Sequence, residues 1–262
     1  MKWLKHFGTD LIGAHLDGAR TLYALRWMFG AIILWEFAQH VVEYRIGMFE
    51  NVETARAVSM DSSRMMLGWI KMLSVYVGGF FVLRYLGTVR ANRAVSAPGI
   101  AFLRYLPYLI YSLLLFGALF YARQYLAEDK VLLVQATIGL GQVFIEPLLM
   151  AWIVSSATDG AVPNPIASAR RTGLLYLYAL PLFFVGRLPI NILHQMLNRY
   201  AVGREPILLW PMLVVDAVVV GLIVAIIPAI SVRVAMRIDE RIARREEIRG
   251  ANARLATPLP SA

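Results

Sequence analysis

Between residues 36 and 43 the chain reads Glu36-Phe37-Ala38-Gln39-His40-Val41-Val42-Glu43. Its polar residues fall at i, i+3, i+4 and i+7, so all four share one face if the segment is helical. A carboxylate at i and an imidazole at i+4 can share a proton or hold a metal ion. His194 ends a later apolar run, with Asn191 one turn before it. His40, His194, Glu36 and Glu43 are therefore able to converge on a cation. No known metal spacing is completed, and neither a metal nor any other cofactor is expected.

Further ionisable residues lie inside apolar runs, where a charge costs at least about 2.5 kcal/mol at the bilayer centre. Glu36, Lys71 and Arg187 sit about 9 Å, and Asp216 about 14 Å, below one end of their runs at 1.5 Å per residue. Two acids and two bases thus occupy one layer. They form either a ligand or proton path, or a structural network in which Lys71 and Arg187 snorkel outward. Glu146 lies deeper, in Gly139-Leu140-Gly141-Gln142-Val143-Phe144-Ile145-Glu146-Pro147. Pro147 removes a backbone donor and weakens the helix around it, so the carboxyl either takes a proton or solute at the opening or is a protonated structural group bonded to a freed carbonyl. Gly78, Gly79, Gly117, Gly139 and Gly141 suit close helix packing.

These residues need apolar helices to hold them. Of 262 residues, 59% are hydrophobic and 16% charged, far from the balance of a water-soluble domain. Six stretches, 23–42, 65–86, 105–122, 131–155, 172–193 and 207–229, are long enough to cross a bilayer, and none alternates as a barrel strand would. The expected fold is all-α: a polytopic helical membrane protein with six transmembrane helices over 1–232. An interfacial helix is expected at about 1–20, where Trp3, Leu4, Phe7, Leu11 and Ile12 recur at helical spacing. A charged cytoplasmic helix should follow over 233–249, with a disordered tail at 257–260.

Orientation follows from Lys and Arg. With the N-terminus cytoplasmic, sixteen fall on the inner side and seven on the outer, so both termini are expected to be cytoplasmic. The net charge of +9 then reads as contact with anionic lipid headgroups, not nucleic acid. All but four of the 26 basic residues are arginine, as GC-rich bacterial coding favours. A bacterial inner-membrane location fits. Cysteine is absent, which excludes disulfides, thiolate zinc sites and iron–sulfur clusters.

Two echoes run along the chain. Phe80-Phe81-Val82-Leu83-Arg84 is matched by Phe183-Phe184-Val185-Gly186-Arg187, and Pro107 with Gly117 by Pro211 with Gly221. The nearly equal offsets hint at two inverted three-helix halves, as in many transporters. No HExxH, Walker A or GxSxG string occurs, so no enzymatic activity is expected. The expected function is that of a non-enzymatic accessory, organising or partner-binding membrane protein, using the 233–249 helix. The alternative is a small-solute or proton-coupled transporter.

Overall fold

The computed structural model describes residues 2–255, and the tail expected over 257–260 lies outside them. Among the described residues the fold is all-helical. The helices are α1 (Lys2–Ala24), α2 (Arg26–Arg45), α3 (Val52–Ala57), α4 (Ser62–Ala91), α5 (Pro98–Tyr125), α6 (Glu128–Ala157), α7 (Pro165–Thr172), α8 (Tyr176–Ala201) and α9 (Pro206–Leu255). A 3₁₀ turn, Gly173–Leu175, joins α7 to α8.

Local chemistry sets several boundaries. Asp61 caps α4 by accepting from the backbone N–H groups of Ser63 and Arg64, and Asn51 and Asn164 cap α3 and α7 in the same way. Proline opens α5 and α7, where its missing N–H costs nothing. Asn92 ends α4 in the left-handed region at φ 47°, a conformation that asparagine tolerates.

Five helical stretches are long and apolar enough to cross a membrane: α4, α5, α6, α7 with α8, and α9. In the first four, only 28–33% of the most apolar 18-residue window is buried within the protein, against 67% for α9. Large apolar side chains such as Leu103, Leu114, Leu132 and Leu177 face outward. Such surfaces are compatible with a multi-pass protein whose solvent is lipid. The stretch expected to be the first span, within α2, is not among the five. Glu36, Gln39, His40 and Glu43 are the cause, since their polar face dilutes its apolar content.

α9 is the axis of the bundle, packed against α8, α1, α4, α6 and α2. α5, its counterpart if the chain were two inverted halves, lies at the periphery against α6 and α4. The two halves are therefore not equivalent in packing.

α1 and α2 form a nearly continuous rod. The Leu25 N–H donates to the Thr21 carbonyl at 2.8 Å, and the Phe29 N–H to the Leu25 carbonyl at 3.1 Å. The rod runs antiparallel to α9. α1 buries only part of the apolar stripe visible in the sequence, with Phe7 and Leu11 packed against the core and Leu4 and Ile12 exposed. It buries Asp10, Ala14, Asp17 and Thr21 as well.

Glycines permit part of this approach. A Cβ on Gly18 would meet Ile226 Cγ1 at 2.6 Å, and one on Gly78 would meet Ile32 Cδ1 at 2.8 Å. Gly139 and Gly141, expected to serve packing, have nothing within 4 Å of an added Cβ. Gly18→Val is therefore expected to lower stability in detergent by roughly 1–3 kcal/mol through overpacking against α9. Gly30→Ala, where an added methyl meets nothing within 4 Å, should raise it by up to about 1 kcal/mol. Thermal unfolding of both variants checks the pair.

Candidate functional site

Two clusters of buried charge lie along α9, with a cavity between them. The first cluster is built on the polar face of α2. Glu36, Gln39, His40 and Glu43 are all buried, as their spacing on one face allows. His40 Nδ1 lies 3.0 Å from Glu43 Oε2, and its Nε2 lies 3.1 Å from Asp216 Oδ2 on α9 and 3.6 Å from Glu36 Oε1. α4 supplies the cations. Lys71 Nζ donates to Glu36 Oε1 at 2.7 Å, and Arg64 Nε to Glu43 Oε1 at 3.1 Å. Gln39 Nε2 donates to the same Glu43 oxygen at 2.9 Å. α8 completes the ring, with His194 Nδ1 2.7 Å from Asp216 Oδ1 and Asn198 Nδ2 donating to Oδ2 at 2.9 Å.

Of the expected residues, Glu36, His40, Lys71 and Asp216 are thus in one connected network. Asn191 is not the residue on α8 that reaches Asp216; Asn198, one turn beyond His194, takes that place. Arg187 also stands apart, with its guanidinium over the Phe183 ring at 4.7 Å. Both ring nitrogens of His40 face carboxylate oxygens. That arrangement accepts either an imidazolium donating twice or a cation held at Nε2.

Glu146 forms the second feature. Its carboxylate accepts from the Tyr108 hydroxyl at 3.3 and 3.4 Å. Arg187 is the charged group within electrostatic reach of it. Glu146 lines a cavity of about 200 Å³ with Tyr76, Tyr105, Tyr108 and Ser231. At roughly 30 Å³ per molecule this holds several waters. The α9 wall of the cavity runs from Ile223 to Ser231, between Asp216 and the second cluster.

The second cluster joins α1, α4, α8 and α9. Arg237 grips Asp10 through two nitrogens, at 2.7 and 3.1 Å, while Tyr178 donates to Asp10 at 2.5 Å. Asp17 lies between Arg233 and Arg90, each at 2.5 Å. Sequence reasoning missed this site. The available signal was Asp10 and Asp17 at i and i+7 opposite Arg233 and Arg237 at i and i+4, but both pairs read equally well as exposed charge. Burial opposes ionisation of Asp10. Hydrogen bonds from Arg237 and Tyr178 and the positive charges of Arg237 and Arg233 outweigh it, holding the carboxyl below its ordinary value of 3.8.

The geometry gives α9 a simple layout. Asp216 and Arg233 are 17 residues apart, or about 25 Å along the helix, close to the thickness of a bilayer's hydrocarbon core. A polar clamp stands at each level, and the Glu146 cavity lies between them. The chain matches no protein-family model, no curated protein and no solved structure.

Because the folded Asp10 carboxyl is depressed, its stabilising contribution is complete above pH 3.8 and is lost as pH falls through the folded value. Asp10→Asn, which leaves Arg237 without its partner, is expected to cost roughly 3 kcal/mol at pH 7. The deficit should shrink as the native protein is acidified below pH 4. Denaturation of both proteins between pH 7 and pH 3 measures it.

Proposed function

We propose that the chain is a six-span, multi-pass protein of a bacterial cytoplasmic membrane, with both termini cytoplasmic, that moves protons across it, alone or coupled to a small solute. α2 is the sixth span. It lies beside α9 with its polar face turned to that helix and to α4, so its charges are kept from lipid, as polar membrane helices require.

The observation that carries this reading is Glu146: a carboxylate lining a cavity of about 200 Å³, with a charged clamp at the level of Asp216 and another at the level of Arg233. A central protonatable group between two separable barriers is what alternating access needs. The cavity admits water, three tyrosine hydroxyls line it, and Glu146 takes and releases the proton. The unequal packing of the two halves means the moving element is set by α9 and its neighbours, with no pseudo-two-fold to exploit. Anionic headgroups contact the arginine-rich cytoplasmic face.

A second reading has its own observation. α9 continues past the bundle, and Arg244, Arg245, Glu246, Glu247 and Arg249 are exposed. Such a helix suits an accessory protein that docks a partner on the exposed later part of the expected 233–249 segment, since Arg233 and Arg237 at its start are taken up by Asp10 and Asp17.

In vesicles holding a pH-sensitive dye, the native protein is expected to dissipate an imposed pH gradient. Glu146→Gln should reduce that rate at least tenfold while Gln142→Ala, off the cavity, leaves it unchanged. Native rates equal to those of empty vesicles, or a Glu146→Gln rate equal to native, overturn the proton reading.

A further inference from the structure

The first cluster has the makings of a cation site that the proton reading does not use. His40 Nε2, a Glu36 carboxylate oxygen and an Asp216 carboxylate oxygen all lie within 4.8 Å of one another. The separations from His40 Nε2 to the Asp216 and Glu36 oxygens are 3.1 and 3.6 Å. Ligands bound at about 2.0–2.2 Å around a tetrahedral ion stand about 3.3–3.6 Å apart, so an ion can be placed among the three with only small shifts. All three residues are buried, at 1% exposure or less.

Each ligand is already oriented from behind. His40 Nδ1 faces Glu43, which Arg64 and Gln39 hold in turn. This is the carboxylate–histidine arrangement that fixes a metal-binding imidazole with Nε2 free to ligate. Asp216 is held by His194 and Asn198, and Glu36 by Lys71. Independently of the spacing, the other oxygen of the same carboxylate, Glu36 Oε2, is buried and has no hydrogen-bond partner among the described residues, while Oε1 meets His40 and Lys71. An oxygen in that condition is costly unless something binds it. Glu36, Glu43 and Asp216 bring three negative charges and Lys71 and Arg64 two permanent positive ones, so the cluster calls for further positive charge, which a bound cation or an imidazolium supplies.

We propose that Glu36, His40 and Asp216 form a binding site for a divalent transition-metal ion of the zinc class, which ties α2 to α9. The donor set of one imidazole and two carboxylates suits zinc, manganese or iron better than calcium, and the absence of thiolate argues against copper(I). Three protein ligands leave a further position for water. His194, which is partly exposed, meets Asp216 on the side of the cluster nearest the surface of α8.

The full chain in detergent, stripped with a chelator and then titrated with Zn²⁺, is expected to bind one ion per chain. His40→Gln and Asp216→Asn should each weaken binding by about 100-fold or more, and Glu43→Gln by about 10–100-fold. His15→Gln, on α1, should bind as the native chain does. Calcium at the same concentration should not compete. Should either ligand variant fail to fold, Co²⁺ added to the stripped native protein still decides, since coordination by these residues produces visible d–d bands. Sub-stoichiometric zinc, unchanged affinity in both ligand variants, or a Co²⁺ spectrum identical to that of the aqueous ion overturns the proposal. Each would leave His40 as an imidazolium that closes the charge balance alone.

Discussion

Asp216 is a fully buried carboxylate on the most enclosed helix of the bundle, and its need for partners organises what surrounds it. Lipid is as apolar as leucine, so apolar contact alone gives spanning helices little reason to choose one neighbour or one register. A buried charge is different. Removing one partner of such a group costs about 3–5 kcal/mol, a large share of the roughly 5–15 kcal/mol by which folded proteins are stable. His40 from α2 and His194 and Asn198 from α8 all meet Asp216, so three helices are set in register by one carboxylate. Lys71 and Arg64 extend the constraint to α4.

The same logic repeats at the other level of α9. Arg233 and Arg237 are met by Asp10 and Asp17 on α1, by Arg90 across Asp17, and by Tyr178 across Asp10. Because α1 and α2 are one rod, the two clusters fasten that rod to α9 at two points, with small residues such as Gly18 allowing close approach between them. The arrangement leaves Glu146 in the intervening space, where among the described residues Tyr108 is its direct donor. A chain that satisfies its other buried carboxylates with arginine, lysine or histidine has kept this one in a cavity of water-sized dimensions.

How far this was legible in the sequence depends on whether the signal was local. Five apolar runs are long enough to stand out by composition, and the helices simply extend past them through capping residues such as Asp61 and Asn164. The first run was legible as helix, but the face that makes it interesting also makes it the least apolar. The i, i+3, i+4, i+7 spacing brought Glu36, Gln39, His40 and Glu43 together correctly because a helix fixes that geometry within eight residues. Asp216 stands 176 residues from His40, and only tertiary packing makes them neighbours. Depth along a helix placed Arg187 in the same layer as Lys71 but said nothing of rotation about the axis, and Arg187 turns toward Phe183. Asp10 and Asp17 were illegible for the opposite reason, since an amphipathic stripe reads the same whether its polar side meets water or arginine.

If its polar face holds α2 to α9, His40 and Asp216 are energetically coupled across that contact, and a double-mutant cycle measures the coupling. His40→Gln, Asp216→Asn and the double variant would be unfolded in the same detergent alongside the native chain. Coupling of about 1–3 kcal/mol is the expected result, as for residues sharing one buried network. Effects that add to within about 0.5 kcal/mol would contradict the account, for then α2 is held to α9 by something other than its polar face.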